Sequence, residues 1–209
     1  KRATGSAMFK MGNTIAIAAV YGPRDVFPSF LQNPSRGLLR CHYDMMSFSV
    51  TERKRPGPTR RSNEISRVTE SALFPVVDLS KFGNTGFDIY VNILQADAGT
   101  RTAGINAAAL ALADAGAPMK DLVCSVAVGK VGDKICVDLT KEEEDYKDGA
   151  TDLPIAVLPR SGKITLLQMD GNMTQKEIKE ALEMGKKAVQ SIKKLQVKAL
   201  KDKYKGAGK

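Results

Sequence analysis

Residues 87–115 read FDIYVNILQADAGTRTAGINAAALALADA. The first part, FDIYVNILQA (87–96), is apolar and rich in strand formers, the pattern of a buried strand. From Thr102 to Ala115 small residues dominate, and Gly116 and Pro118 stop the run as helix terminators do. That helix is almost without charge, so it has no face to offer water and is buried on most sides. Between the two lies QADAGTRTAG (95–104), a glycine turn that opens the helix. A buried strand feeding a buried helix calls for sheets with helices packed on their faces.

Upstream, residues 7–21 predict a hairpin turning at Gly12-Asn13. Residues 38–50 predict a further strand region, and SNEISRVTESALF (62–74) a helix capped by Ser62 and ended by Pro75. Downstream, 122–139 read as two strands joined at Gly132-Asp133. Residues 140–152 read as an acidic loop, and 153–170 as a hairpin over Ser-Gly-Lys. The last helix, over 174–204, opens on Thr174 and Glu177, a T-x-x-E capping box that is read as a cap and nothing more. Its apolar stripe is Ile178, Ala181, Leu182, Gly185, Val189 and Ile192. In block order the chain runs β, β, α, β, α, β, β, β, β, α. This is an α+β fold with mostly antiparallel sheets, expected as one domain over residues 1–209.

The 209 residues are 43% hydrophobic and 26% charged, which excludes disorder, collagen and coiled coil for the bulk of the chain. No apolar run approaches the roughly 20 residues of a membrane span. The opening KRATGSAMFKMGNT lacks the apolar core of a signal peptide. It starts mid-pattern without a Met, so a preceding segment is expected. Lysine and arginine number 32 against 23 acids, a net +9. That balance favours a polyanionic partner, RNA or DNA, with a solvated lysine surface as the alternative. Of this charge much lies at the end, where residues 175–209 hold 11 lysines against 4 acids. Cys41, Cys124 and Cys136 lack metal-site spacing and read as buried free thiols in a reducing, cytoplasmic setting. A single histidine, His42, excludes His-based zinc sites and disfavours Ser-His or Cys-His chemistry.

Carboxylates, arginines and backbone amides are therefore the available catalytic groups, and three clusters supply them. RKRPGPTRR (53–61) holds Arg53, Lys54, Arg55, Arg60 and Arg61 on a proline-extended segment entering a helix, a setting for phosphate. The alternative is a solvated basic loop. At Gly99, Thr100 and Arg101 a glycine turn, a hydroxyl and a cation meet a helix N-terminus. This is an anion nest without the spacing of a Walker A loop. An arginine there opposes the helix dipole unless an anion is bound. The acidic loop places Glu142, Glu143, Glu144, Asp145, Asp148 and Asp152 within 11 residues. A solvated loop accounts for most of them. Asp152, next to a strand, is held more firmly and suits a general acid or a Mg²⁺ ligand.

GSAMFKMGNT (5–14), AVYGP (19–23), FSVTERKRPGPTRR (48–61) with EIS (64–66), LQADAGTR (94–101), ALADAGAPMKD (111–121), AVGK (127–130), DLTKEEED (138–145) and LLQMDG (166–171) together resemble the RNase PH family over nearly the whole chain. FSVTERKRPGP and LLQMDG are most similar to the catalytic RNase-PH-like subunits of archaeal exosomes. The family's R-x-D-G-R opening is absent from this sequence. The resemblance implies a ribosomal protein S5 domain 2-like fold. It implies a hexameric ring shared with a homologous non-catalytic subunit and RNA-binding cap subunits, with single-stranded RNA threading the ring. It implies phosphorolysis, with inorganic phosphate as co-substrate. By that resemblance Gly99, Thr100, Arg101 and Arg61 bind phosphate, Arg60 and Arg61 hold the RNA backbone, and Asp145 and Asp152 are catalytic. The family spaces its two aspartates by six, whereas Asp145 and Asp152 are seven apart. The loop acid is therefore Glu144 or Asp145, with Asp145 preferred for the usual Glu-Asp pair. Pro28-Ser29-Phe30 replaces a basic Pro-Arg-His, removing one RNA contact. A structural RNA-binding ring subunit and an autonomous RNase PH trimming tRNA 3′ ends are the competing functions.

Overall fold

In the computed structural model, which describes residues 2–147 and 149–206, the hairpin at the start is strands β1 (Gly5–Met11) and β2 (Thr14–Asp25). Gly12 at their turn has φ +54°, a conformation that glycine adopts without steric cost. Strand β4 (Thr85–Gln95) pairs antiparallel with β2 and parallel with β3 (Leu38–Met45), in the sheet order β1-β2-β4-β3. A parallel pair needs a crossover, which helix α1 (Arg60–Leu73) supplies. Three strands thus precede α1, one more than the expected block order, because the hairpin contributes two. The strand expected over 38–50 stops at Met45, and turns and irregular backbone follow over 46–59.

Helix α2 (Thr100–Asp114) is buried on nearly every side, as its composition requires. One face meets β1, β2 and β4 and the other meets the second sheet. Its small residues allow the approach: a Cβ at Gly104 would stand 3.2 Å from Val91 Cγ1, and one at Gly5 of β1 would stand 2.3 Å from the Ala111 carbonyl. The second sheet, ordered β6-β5-β7-β8 and wholly antiparallel, comprises β5 (Cys124–Val131), β6 (Lys134–Val137), β7 (Ala150–Val157) and β8 (Ile164–Leu167). A short helix, α3 (Lys141–Glu144), stands where an irregular acidic loop was expected, because Thr140 and Glu143 form a capping box. Asp148 of that loop lies outside the described residues.

The last helix, α4 (Gln175–Gly206), lies on the second sheet. The T-x-x-E cap is present: Thr174 N donates to Glu177 Oε2 at 2.7 Å, and Glu177 N to Thr174 Oγ1 at 3.3 Å. Gly185 lets α4 settle, since a Cβ there would meet Ile155 Cδ1 at 2.4 Å. Buried residues of both sheets and of α2 and α4 form one cluster, including Ile89, Val91, Ile105, Leu112, Val128, Ile155 and Val189. Each such side chain contributes roughly 1.5–3 kcal/mol on burial. Cys41 and Cys124 are buried as expected, but Cys136, on the edge strand β6, is partly exposed. Among the described residues no helix covers the outer face of the first sheet. Register puts Met8, Ile17, Tyr90 and His42 on it, with Met8 67% exposed.

Candidate active site

Two helix N-termini meet over the joint between the sheets. The first is that of α1. Ser62 does not cap it: Thr59 does, accepting from Ser62 N at 3.1 Å while Thr59 N donates to Ser62 Oγ at 2.7 Å. The helix therefore begins two residues earlier than expected, and Arg60 and Arg61 lie in its first turn. The second is that of α2, which starts at Thr100 rather than Thr102. Gly99 is its N-cap, in the left-handed region (φ 55°), and supplies no side chain to the first-turn amides. Those N–H groups and the helix dipole form a ready anion site.

Arg101, in this first turn, is largely buried and tightly held. Its Nη1 donates to Gln168 Oε1 at 2.6 Å and its Nη2 to Glu64 Oε2 at 2.9 Å. Gln168 Nε2 donates to Glu64 Oε1 at 3.1 Å. The Nε of Arg101 is buried without a partner among the described residues.

Asp152 is clamped by backbone on two sides. It pairs with Gly129 of β5, and exchanges two hydrogen bonds of 2.9 Å with Asp170. It thus sits inside β7, not just ahead of it. Its Oδ1 is buried and has no partner among the described residues. Burial pushes this carboxyl above its ordinary range, with Arg101 pulling it down, Asp170 adding to the rise and Arg61 again opposing it. Glu144, half-buried at the end of α3, is likewise raised, first by burial and then by the Asp152 charge. Asp145 is one residue further on. It is 64% exposed and bonded to Lys141 Nζ at 2.7 Å. Of the two loop acids, the fold turns Glu144 toward Asp152 and leaves Asp145 in solvent.

These groups line one open cleft of about 1850 Å³. Arg61, Gly99, Thr100, Arg101, Asp145 and Asp152 all border it, and so do Arg53 and Lys54. Arg60 does not; it is exposed beside Arg61 and outside the cleft wall. Glu64 and Gln168 were not singled out from the sequence. Glu64 stands three residues after Arg61, on the same side of α1, and Gln168 lay unassigned within LLQMDG. No group of three or more His, Cys, Asp or Glu side chains is poised for a metal among the described residues. Asp152 and Glu144 still suit Mg²⁺, which commonly takes one or two carboxylates and completes its shell with water and substrate phosphate.

The cleft thus brings together an acid with a buried, unpaired oxygen, an uncapped helix N-terminus and arginines. Residues 1–118 match the 3′ exoribonuclease family, domain 1, and residues 121–188 match domain 2 of the same family. The chain belongs to the 3′ exoribonuclease family. It is 52% identical to the exosome complex component Rrp41 of Thermococcus kodakarensis over 98% of this chain and 81% of that protein. The rice (Oryza sativa) Rrp46 structure superposes with a TM-score of 0.84 at 23% identity, covering 96% of this chain and 90% of that one. A chain of an Archaeoglobus fulgidus exosome with RNA bound to its active site gives 0.76, also at 23% identity, covering 93% and 84%. The family and the α+β fold implied by the sequence motifs are those found. No described helix is long and apolar enough to cross a membrane.

Proposed function

We propose that this family member is the catalytic subunit of an RNA-degrading ring, removing nucleotides from RNA 3′ ends by phosphorolysis. The observation that carries this is the pairing, in one cleft, of an uncapped helix N-terminus with two buried, unpartnered polar atoms, Arg101 Nε and Asp152 Oδ1. Inorganic phosphate on Gly99, Thr100 and Arg101, with Arg61 opposite, is positioned to attack the terminal phosphodiester. A phosphate oxygen bonds to that phosphorus, the bond to the 3′ oxygen breaks, and the Asp152 carboxyl, whose hold on its proton burial strengthens, gives that proton to the departing 3′ oxygen. The products are a nucleoside diphosphate and an RNA shorter by one nucleotide. Phosphate is already a nucleophile, so positioning and charge neutralisation suffice, and arginines and amides supply both. In the alternative in which Asp152 is ionised, it and Glu144 would hold Mg²⁺, which would supply charge neutralisation at the attacked phosphate in place of the proton.

Arg53, Lys54 and Arg61 give the single-stranded RNA backbone a cationic path into the cleft. The uncovered sheet face with Met8, Ile17 and Tyr90 suits a homologous, non-catalytic subunit, as a hexameric ring requires, with RNA-binding caps above it. Free thiols fit a cytoplasmic setting. The exosome component names carried by its relatives support the same assignment.

The test mixes this chain with a sister subunit and 3′-labelled single-stranded RNA, with and without phosphate. Nucleoside diphosphate released only with phosphate is expected, and excess nucleoside diphosphate should drive 3′ extension. Monophosphate released without phosphate would replace phosphorolysis by hydrolysis. No release in either condition would make the chain a structural, RNA-guiding subunit. Activity of a self-assembled ring of this chain alone would instead point to an autonomous RNase PH.

A further inference from the structure

We infer that Glu64 and Gln168 are positioning residues that form, with Arg101, a closed three-membered hydrogen-bonded ring fixing the guanidinium on which phosphate binds. This rests on the assignment of Arg101 to phosphate. The ring joins three elements distant in sequence: Glu64 in α1, Arg101 in the first turn of α2, and Gln168 just after β8. Arg101 lies on a helix terminus where a long side chain has several rotamers. Two Nη bonds, to partners that also bond each other, leave its plane a single orientation. Its Nε remains unbonded, and the ring uses none of the α2 amides.

The donor and acceptor pattern of the ring admits few solutions. Arginine donates at both contacts and never accepts. Position 168 must then accept from Arg101 and donate to position 64. Position 64 must accept at both of its terminal atoms, Oε1 and Oε2, which a carboxylate does and an amide, with one oxygen and one NH2, does not. Glu64→Gln leaves two donors facing each other whichever way the two amides are turned. Gln168→Glu leaves two carboxylates facing each other. The double change Glu64→Gln with Gln168→Glu closes the ring again, with its charge moved across. The carboxylate then at position 168 accepts from Arg101 Nη1 and from the amide nitrogen at position 64, and the amide oxygen at position 64 accepts from Nη2.

Charge alone predicts something different. Glu64→Gln removes a negative charge beside a phosphate site and would tighten phosphate. Gln168→Glu adds one and would weaken it. The ring predicts that both single changes weaken phosphate and that combining them repairs it. Neither site is fully buried; the Glu64 side chain is 42% exposed, so both variants are expected to fold.

The assembled ring is assayed for phosphorolysis, varying phosphate at saturating RNA and then RNA at saturating phosphate. Each single variant should raise KM for phosphate about tenfold, the effect of one unmade hydrogen bond in a partly buried site. KM for RNA should stay within about twofold, and the double variant should return to within about threefold of the parent. Opposite shifts in phosphate KM for the two singles, no shift in either, or a double variant no better than the worse single would each overturn the ring. A single variant raising both KM values alike would reduce it to a general structural contact. A parent enzyme that releases nucleotide without needing phosphate would instead overturn the phosphorolytic assignment beneath it.

Discussion

Asp88 and Asp152 are both aspartates inside strands, both drawn from solvent and both near two arginines, yet their circumstances are opposite. Asp88, in the middle of β4, is 3% exposed, and both its oxygens are bonded: Oδ1 accepts from Arg40 Nε at 2.6 Å, and Oδ2 from Arg24 and from Arg40 Nη2 at 3.1 Å. Burial would raise its carboxyl, but the hydrogen bonds of Arg40 and Arg24 more than offset this and hold it below the usual range. Arg40 also donates to the Phe27 carbonyl at 2.9 Å, tying the segment after β2 to the sheet. At Asp152 the nearby Arg101 is engaged elsewhere, bonding Glu64 and Gln168, and one carboxylate oxygen is left unpaired among the described residues. A satisfied buried charge fixes a fold. An unsatisfied one costs stability and leaves a group free for a substrate.

The largest effect expected from that contrast is a crossed pair of substitutions. Asp152→Asn should lower kcat by about 10³-fold, the scale of a lost general acid, with melting temperature equal to or slightly above the parent's. Asp88→Asn should leave turnover per folded molecule within about twofold but cost about 3 kcal/mol, because two arginines lose their partner. That figure is at the low end for a broken buried pair because the Arg24 side chain is 50% exposed. For a chain of this size the loss corresponds to roughly 6–12 °C in Tm. A kcat loss at Asp88 equal to that at Asp152, or a melting loss at Asp152 equal to that at Asp88, would break the distinction.

A finer version sits within the acidic loop. Glu144→Gln should reduce kcat by about 10²-fold, since Glu144 is half-buried and feels the Asp152 charge. Asp145→Asn should change it by less than about threefold, because an exposed pair with Lys141 contributes little. The reverse ranking would restore Asp145, the residue favoured by the family's Glu-Asp pattern, and would require α3 to turn when substrate binds.

What was legible in the sequence follows from how local each feature is. The uncharged helix over 102–115, the T-x-x-E cap and the anion-binding chemistry of Gly99 to Arg101 depend on neighbours along the chain. The helix and the cap are present, the helix starting two residues earlier at Thr100, and Gly99 to Arg101 border the cleft. The two basic and glycine clusters read as separate features because nothing local says that α1 and α2 converge on one cleft. That depends on the parallel pairing of β3 with β4 and on α2 lying between two sheets. Glu64 and Gln168 were invisible for the same reason: their ring joins residues 64, 101 and 168. The choice between Glu144 and Asp145 turned on a short helix read as loop. One residue in a helix is a rotation of about 100°, enough to move a carboxylate from the cleft interior to solvent.

The smallest expected effect distinguishes the two aspartates by the sign of a slope. Asp88 has a lowered folded pKa, so its contribution is present above the ordinary aspartate value and is lost as pH falls through the lowered one. The melting deficit of Asp88→Asn should therefore be full at neutral pH and shrink toward zero below about pH 4. Asp152 has a raised folded pKa, so the folded state binds its proton more tightly, and stability is lost as pH climbs from the ordinary value through the raised one. Asp152→Asn removes that penalty, so its melting temperature should match the parent's in acid and rise slightly above it toward neutral pH. Melting curves of the parent and both variants from about pH 3 to about pH 8 read the two slopes directly. Parallel slopes would mean that Arg101 and Arg61 satisfy Asp152 as fully as Arg24 and Arg40 satisfy Asp88. The unpaired oxygen of Asp152 would then be no mark of chemistry.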